Sequence, residues 1–90
     1  MKIFKDLEFK DRPMGMASVS KSARMNFGNK YGVSVIFGSM FYSNGIDTYE
    51  IGIMYEGSLT YDTHITDDVI GYQTEKEVTQ IMKQVQKLKP

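Results

Sequence analysis

The sequence predicts an α+β domain: a four-stranded antiparallel β-meander with one C-terminal α-helix packed on one face. Three observations support this prediction. Apolar and polar residues alternate with a period of two through much of residues 17–62, which is typical of half-buried strands. Clusters of glycine and asparagine interrupt the alternation, as turns require. After Thr74 the apolar spacing changes to that of an amphipathic helix.

The 90 residues favour a single domain spanning residues 1–90, because a chain of this length can bury one hydrophobic core. We expect the sheet to occupy residues 17–62 and the helix residues 74–88. Residues 1–16 form an arm whose structure the pattern leaves open. Its apolar residues fit either helical spacing or a strand at residues 7–10.

The first hairpin is predicted around residues 28–32, where two glycines and an asparagine favour a turn. Pairing Phe27 with Val33 places Met25 opposite Val35, and all four lie at odd positions. Because alternate residues of a strand share one face, the odd residues are expected to form the buried face.

The next connection contains Asn44-Gly45, a frequent two-residue hairpin turn. A tight turn there would put the odd residues of the following strand on the opposite face. That strand has its apolar residues at odd positions, so we expect Asn44-Gly45 to lie within a longer connection or beside a bulge. A last short hairpin at residues 56–58 is predicted to keep Leu59 and Tyr61 on the odd face.

Thr74 and Glu77 have the spacing of a capping box, with Thr74 as N-cap of the helix. Before them, residues 67–71 predict one helical turn that ends at Gly71. The helix is expected to cover the odd face of the sheet with an apolar stripe of Val78, Ile81, Met82, Val85 and Leu88.

The chain contains no cysteine and one histidine. The absence of cysteine excludes disulfides, thiolate metal sites and cysteine nucleophiles. No apolar run approaches the roughly 20 residues of a membrane helix, so we expect no membrane association. No catalytic arrangement stands out, and we expect a non-enzymatic protein without a cofactor.

The even face of the sheet should be polar, but two of its residues are apolar, Ile36 and Met54. Three large apolar side chains also lie in the connection at residues 39–48. Because an apolar patch with a polar rim marks interaction sites, we predict a partner-binding surface. Its residues are Ile36, Met40, Phe41, Tyr42 and Met54. A second copy of the chain is one expected occupant, giving a homodimer; alternatively, the arm covers this face with Phe4, Leu7 or Phe9.

Two alternative functions follow from other residues. Seven basic and three acidic residues lie in residues 1–45, against four basic and eight acidic in residues 46–90, so the halves carry formal net charges of +4 and −4. The basic half suggests a nucleic-acid-associated module using Lys21, Arg24 and Lys30. These residues are also consistent with a purely structural role on a solvated sheet face. We therefore consider nucleic acid a less favoured partner than protein.

A second alternative concerns the acidic segment around the single histidine. Carboxylate and imidazole groups can bind a divalent metal, which suggests a metal-dependent activity at Asp62, His64 and Asp67. The spacing matches no metal motif, however, and aspartates commonly cap turns. We therefore favour a structural turn and assign no metal ligand.

Three segments resemble small uncharacterised bacteriophage and prophage proteins. They are the strand motif YGVSV at residues 31–35, preceded by Asn29-Lys30, the strand segment Tyr49-Glu50-Ile51, and YDTHITDDVIGYQTEKEV at residues 61–78, where the phage pattern is YDTxITDDVxGYxTxxEV. Proline is common after YDT in those proteins, where this chain has His64. The resemblance implies a phage origin and a location in the host cytoplasm. It implies no activity. Taking this origin together with the apolar surface, we predict a non-enzymatic phage accessory protein that binds a host or phage protein, with inhibition of a host defence or regulatory system as its role.

Overall fold

The computed structural model describes residues 1–11, 21–38, 43–66 and 68–89. These residues contain one 3-10 helix at Phe4–Asp6, six strands and one α-helix. The strands and helix are β1 (Lys10–Asp11), β2 (Lys21–Asn26), β3 (Tyr31–Phe37), β4 (Tyr49–Tyr55), β5 (Ser58–Leu59), β6 (Ile70–Gln73) and α1 (Glu75–Gln86). The predicted α+β class is confirmed. The predicted number of four strands is too low, because the described part of the sheet has six.

The sheet is antiparallel and follows the order β1-β2-β3-β4. The second edge of β4 is shared: β5 pairs with its C-terminal end and β6 with its N-terminal end. β1 and β6 were missed because two- and four-residue strands are too short to show a period of two. Residues 17 and 19 of the predicted first strand lie outside the described residues.

The first hairpin has a register two residues away from the predicted one. Met25 lies opposite Val33 rather than Val35. The turn between the strands is short, since Phe27 N–H donates to the main-chain oxygen of Tyr31 at 2.8 Å. A shift of two residues preserves the face of every side chain, so the predicted odd face is confirmed despite the wrong register.

The connection between β3 and β4 is long, as predicted. Val35 lies opposite Ile51, a pairing that a tight turn at Asn44-Gly45 would not permit. The Asn44 side-chain oxygen instead accepts hydrogen bonds from the main-chain N–H groups of residues 46–48, at 2.9, 3.0 and 3.1 Å. This asparagine therefore organises a local turn within the connection.

Helix α1 begins as the sequence predicted. Thr74 Oγ1 accepts from the Glu77 main-chain N–H at 3.3 Å, and Glu77 Oε1 accepts from the Thr74 N–H at 3.0 Å. The helix packs on the odd face, and burying each large apolar side chain contributes about 1.5–3 kcal/mol before entropy is subtracted. The buried core consists of Leu7, Ala23, Val33, Val35, Ile51, Ile53, Val78, Ile81, Met82 and Val85.

The N-terminal arm lies along α1, not across the even face of the sheet. Lys2 and Gln86 exchange two hydrogen bonds, from the Lys2 N–H at 2.8 Å and to the Lys2 oxygen at 2.7 Å. The Phe4 N–H donates to Thr79 Oγ1 at 3.1 Å, and Leu7 belongs to the buried core. The described part of the arm therefore leaves the even face uncovered, and the alternative in which it covers that face is wrong.

Candidate functional site

The face of the sheet opposite α1 carries the even residues of β2, β3 and β4, and we call it the outer face. In the sequence it was singled out by Ile36 and Met54. Ile36 is half-buried, whereas Met54 is only 4% exposed. Met54 therefore offers almost no exposed surface, and its assignment to the partner-binding surface stays a prediction.

The turn after β4 explains why Met54 is buried. Tyr55 pairs directly with Ser58, so Glu56 and Gly57 form a two-residue turn with φ of 50° and 88°. Positive φ at both positions is the geometry of a type I′ hairpin turn. A two-residue turn pairs an odd residue with an even one, which puts Leu59 opposite Met54 on the outer face.

The prediction that Leu59 continues the buried odd face is consequently wrong. Leu59 is 47% exposed. Its Cδ2 lies close to Gly52, such that a Cβ built on that glycine would be 2.8 Å away. Glycine at position 52 therefore makes room for Leu59, which packs over the outer face beside Met54. The signal in the sequence was Glu56-Gly57, which has glycine at the second turn position as type I′ turns prefer.

A second outer-face feature comes from β6, where a helical turn had been predicted. Ile70 pairs with Ile51 and Gln73 with Tyr49, so residues 71–72 together lie opposite the single Glu50. This is a β-bulge, and it gives Tyr72 a φ of 56°. The predicted helix stop at Gly71 is thus a strand residue, while Asp67 lies outside the described residues.

The segments that pair with the second edge of β4, together with their flanking residues, carry four side chains with apolar surface, and we call these four the outer-edge patch. Leu59 and Val69 both pack close to Gly52. A Cβ atom added at position 52 would lie 2.8 Å from Leu59 Cδ2 and 3.4 Å from Val69 Cγ1. Val69 and Tyr72 line one open depression of about 270 Å³ together with Asp68 and Gly71. Tyr72 is 59% exposed and Tyr61, two residues after Leu59, is 47% exposed. The outer-edge patch comprises Leu59, Tyr61, Val69 and Tyr72.

Three other predicted partner-binding residues, Met40, Phe41 and Tyr42, lie outside the described residues. The described remainder of their connection is well organised. Ser43 is buried, donates to the Thr48 oxygen at 2.6 Å and accepts from Gly45 N–H at 3.1 Å. Ile46 is 80% exposed at the tip of this turn.

The three basic residues of the nucleic-acid alternative do not share one surface. Lys21 and Arg24 both lie on β2, but at odd and even positions, so their side chains leave the strand on opposite faces. Lys30 lies in the turn beyond the strand, where its Nζ is 3.6 Å from Glu56 Oε1. The structure therefore supplies no convergent basic stripe from these residues.

Two members of the predicted acidic cluster, Asp62 and His64, are exposed. The third, Asp67, is not among the described residues. Neighbouring threonines form local turns, such as the one in which the Thr63 hydroxyl donates to the Thr66 oxygen at 3.3 Å. Within residues 1–11, 21–38, 43–66 and 68–89, no three histidine, aspartate or glutamate side chains converge in a way that could hold a metal ion.

None of the described helices has the length and apolar character needed to cross a membrane.

Comparison with protein-family models, with curated proteins and with solved structures finds no match to this chain. The resemblance to phage proteins stays a prediction from the sequence motifs.

Proposed function

We propose that this chain is a non-enzymatic accessory protein that binds another protein through the outer-edge patch. The observation that carries the proposal is the exposure of Leu59, Tyr61 and Tyr72 along the same side of β4. Tyrosine is enriched at protein interfaces and among the residues that dominate binding energy. Exposed apolar side chains grouped at one sheet edge are typical of interaction surfaces.

The shape of the patch supports a macromolecular partner. The depression beside Tyr72 is open to solvent, and this tyrosine, a residue type enriched at protein interfaces, is 59% exposed. In the described part of the sheet, β6 has no strand beyond it. An extended segment of a partner adding to such an edge is a common mode of recognition.

The biological setting of the proposal rests on the sequence motifs. Resemblance to phage and prophage proteins suggests a partner encoded by the bacterial host or by the phage, met in the host cytoplasm. Inhibition of a host defence or regulatory system is the role that fits a small binding protein of this kind. A second copy of the chain remains an alternative partner for the same surface.

The test is affinity capture from a bacterial lysate with three single variants and the original chain. Leu59→Ser and Tyr72→Asn should each reduce recovery of the captured protein. Asparagine is chosen for position 72 because it tolerates the positive φ of 56° at that residue. Ile46→Ser is the matched control, since it removes an exposed apolar side chain from another turn. Circular dichroism and thermal unfolding confirm that every variant is folded.

Sedimentation of the purified chain separates self-association from capture of another protein. A dimer that dissociates in Leu59→Ser and Tyr72→Asn would assign the patch to a second copy. Capture that survives both variants but is lost in Ile46→Ser would place the interface on the β3–β4 connection and overturn the proposed surface.

A further inference from the structure

An aromatic cavity lies on the odd face of the sheet, where β2 begins, β3 ends and β4 begins. Its described lining consists of four aromatic side chains and one lysine, and its volume is about 280 Å³. These residues are Phe4, Phe9, Lys21, Phe37 and Tyr49. No motif in the sequence pointed to this cavity, because its residues come from four separate segments: the N-terminal arm, β2, β3 and β4.

The fold brings these segments together for identifiable reasons. Lys21 begins β2 and pairs with Phe37, which ends β3. Tyr49 begins β4 and contacts Phe37, with ring centroids 5.3 Å apart. The hydrogen bond from Phe4 N–H to Thr79 fixes the N-terminal arm over the same end of the sheet.

The rings support one another in fixed orientations. Phe4 and Tyr49 meet edge to face with centroids 4.9 Å apart. Phe9 lies 5.7 Å from Phe4 and 5.6 Å from Tyr49. Such ring pairs stabilise each other beyond the area they bury, so the cavity wall is held in place before any ligand enters. All four rings are half-buried and keep part of their surface toward solvent.

Size and charge restrict what this cavity can hold. Its volume falls just below the range of about 300–1,000 Å³ for small-molecule sites, which suits one ring system and excludes a dinucleotide. The aromatic walls favour a flat apolar group. Lys21 is the charged group among the described lining residues, and an ammonium group favours an anionic partner.

We propose that this cavity binds a planar aromatic ring carrying a carboxylate, with the ring against Phe37 and Tyr49 and the carboxylate paired with Lys21. A cationic ligand, which also favours aromatic faces, fits less well. The ammonium group of Lys21, which lines the same cavity, repels a cation. The inference goes beyond the proposed function and uses none of the outer-edge residues.

Nuclear magnetic resonance titration of the full chain with indole-3-acetate tests the proposal. Amide signals of residues 21, 37 and 49 should shift in a saturable way. Tryptamine, which carries the same ring with a cationic tail, should bind more weakly. Cyclohexylacetate, which has the carboxylate but no aromatic ring, should also bind more weakly.

Two matched variants distinguish specific binding in the cavity from non-specific binding to the protein surface. Lys21→Gln should weaken indole-3-acetate binding by about three- to fivefold, the range expected of a solvent-accessible ion pair. Arg24→Gln removes a positive charge from the opposite face of the same strand and should leave binding unchanged. Both positions are exposed, so both variants should fold.

Three results would overturn the proposal. One is the absence of saturable shifts at residues 21, 37 and 49 with indole-3-acetate at millimolar concentration. Another is tryptamine binding as tightly as indole-3-acetate, and the third is equal affinity of the Lys21→Gln and Arg24→Gln variants. None of these results bears on protein capture by the outer-edge patch, which is tested separately with the Leu59→Ser and Tyr72→Asn variants.

Discussion

Asn29, in the turn between β2 and β3, donates a hydrogen bond from its side-chain amide to the main-chain oxygen of Leu88 at 2.8 Å. The same amide nitrogen donates to the oxygen of Val85 at 2.9 Å, and the side-chain oxygen accepts from Tyr31 N–H at 3.2 Å. One turn residue thus bonds to a carbonyl group in the last turn of α1 and to the carbonyl group of Leu88, two residues beyond the end of the helix at Gln86. The first hairpin and the helix are joined at this point.

We therefore expect Asn29→Ala to lower the free energy of unfolding by about 1–3 kcal/mol, because it removes the hydrogen bonds that join the first hairpin to the C-terminal end of α1 and to Leu88. Asn29→Asp should be at least as harmful. It keeps the oxygen that accepts from Tyr31 but places a negative charge at the negative end of the helix dipole. Urea unfolding of both variants measures the effect. A variant as stable as the original chain would show that water replaces Asn29 without cost.

The Glu56-Gly57 turn offers a way to stabilise the fold. Glu56 has a φ of 50°, a region that glutamate adopts at a cost and asparagine tolerates better. Glu56→Asn creates the Asn-Gly pair that type I′ turns favour and should raise the free energy of unfolding by about 0.5–1 kcal/mol. The lost contact with Lys30 should matter little, because both side chains are 59% exposed.

Thermal unfolding of Glu56→Asn, with Glu56→Gln as the control, tests this expectation. Glutamine removes the same charge without improving the turn and should therefore give no gain. Equal stability of the two variants would mean that the positive φ at position 56 carries no cost.

The cross-strand pair Met54 and Leu59 should respond unequally to truncation. Met54 is 4% exposed, so Met54→Ala is expected to cost about 2–5 kcal/mol through lost burial and the cavity left behind. Leu59→Ala should cost less than about 1 kcal/mol, because this side chain is 47% exposed. Chemical unfolding of the two variants compares them directly. A larger loss for Leu59→Ala would contradict the burial described for the outer face.

The raised pKa of Tyr49 predicts how the free energy of unfolding depends on pH in the alkaline range. Burial raises the pKa of its phenol, and the nearby carboxylates of Glu75 and Asp47 raise it further. The folded state therefore favours the neutral phenol. This contribution to stability is complete below the pKa of the unfolded chain, about 10, and is lost as the pH rises through the higher folded value.

Tyr49→Phe removes this titration, since phenylalanine carries no ionisable group. Between about pH 9 and pH 11 the original chain should lose more stability than the Tyr49→Phe variant, as measured by urea unfolding across this range. Parallel losses in both proteins would show that other groups account for the alkaline dependence.

The sequence by itself determined the α+β class, the odd face that is buried, the long β3–β4 connection and the start of α1. These features depend on local rules: a period of two or 3.6 residues and the Thr74–Glu77 capping box act over a few neighbouring residues. The register of β2 and β3 was displaced by two residues, because burial specifies the face of a strand but does not distinguish registers that share a face.

Only the tertiary structure decided the position of Leu59, the bulged strand β6 and the aromatic cavity. Leu59 changes faces through a two-residue turn, and β6 is defined by its pairing with β4 rather than by its own pattern. The lining of the cavity comes from residues 4–49, and the hydrogen bond from Asn29 to Val85 of α1 joins residues 56 positions apart. Such contacts depend on how the elements pack together, which no short-range period in the sequence encodes.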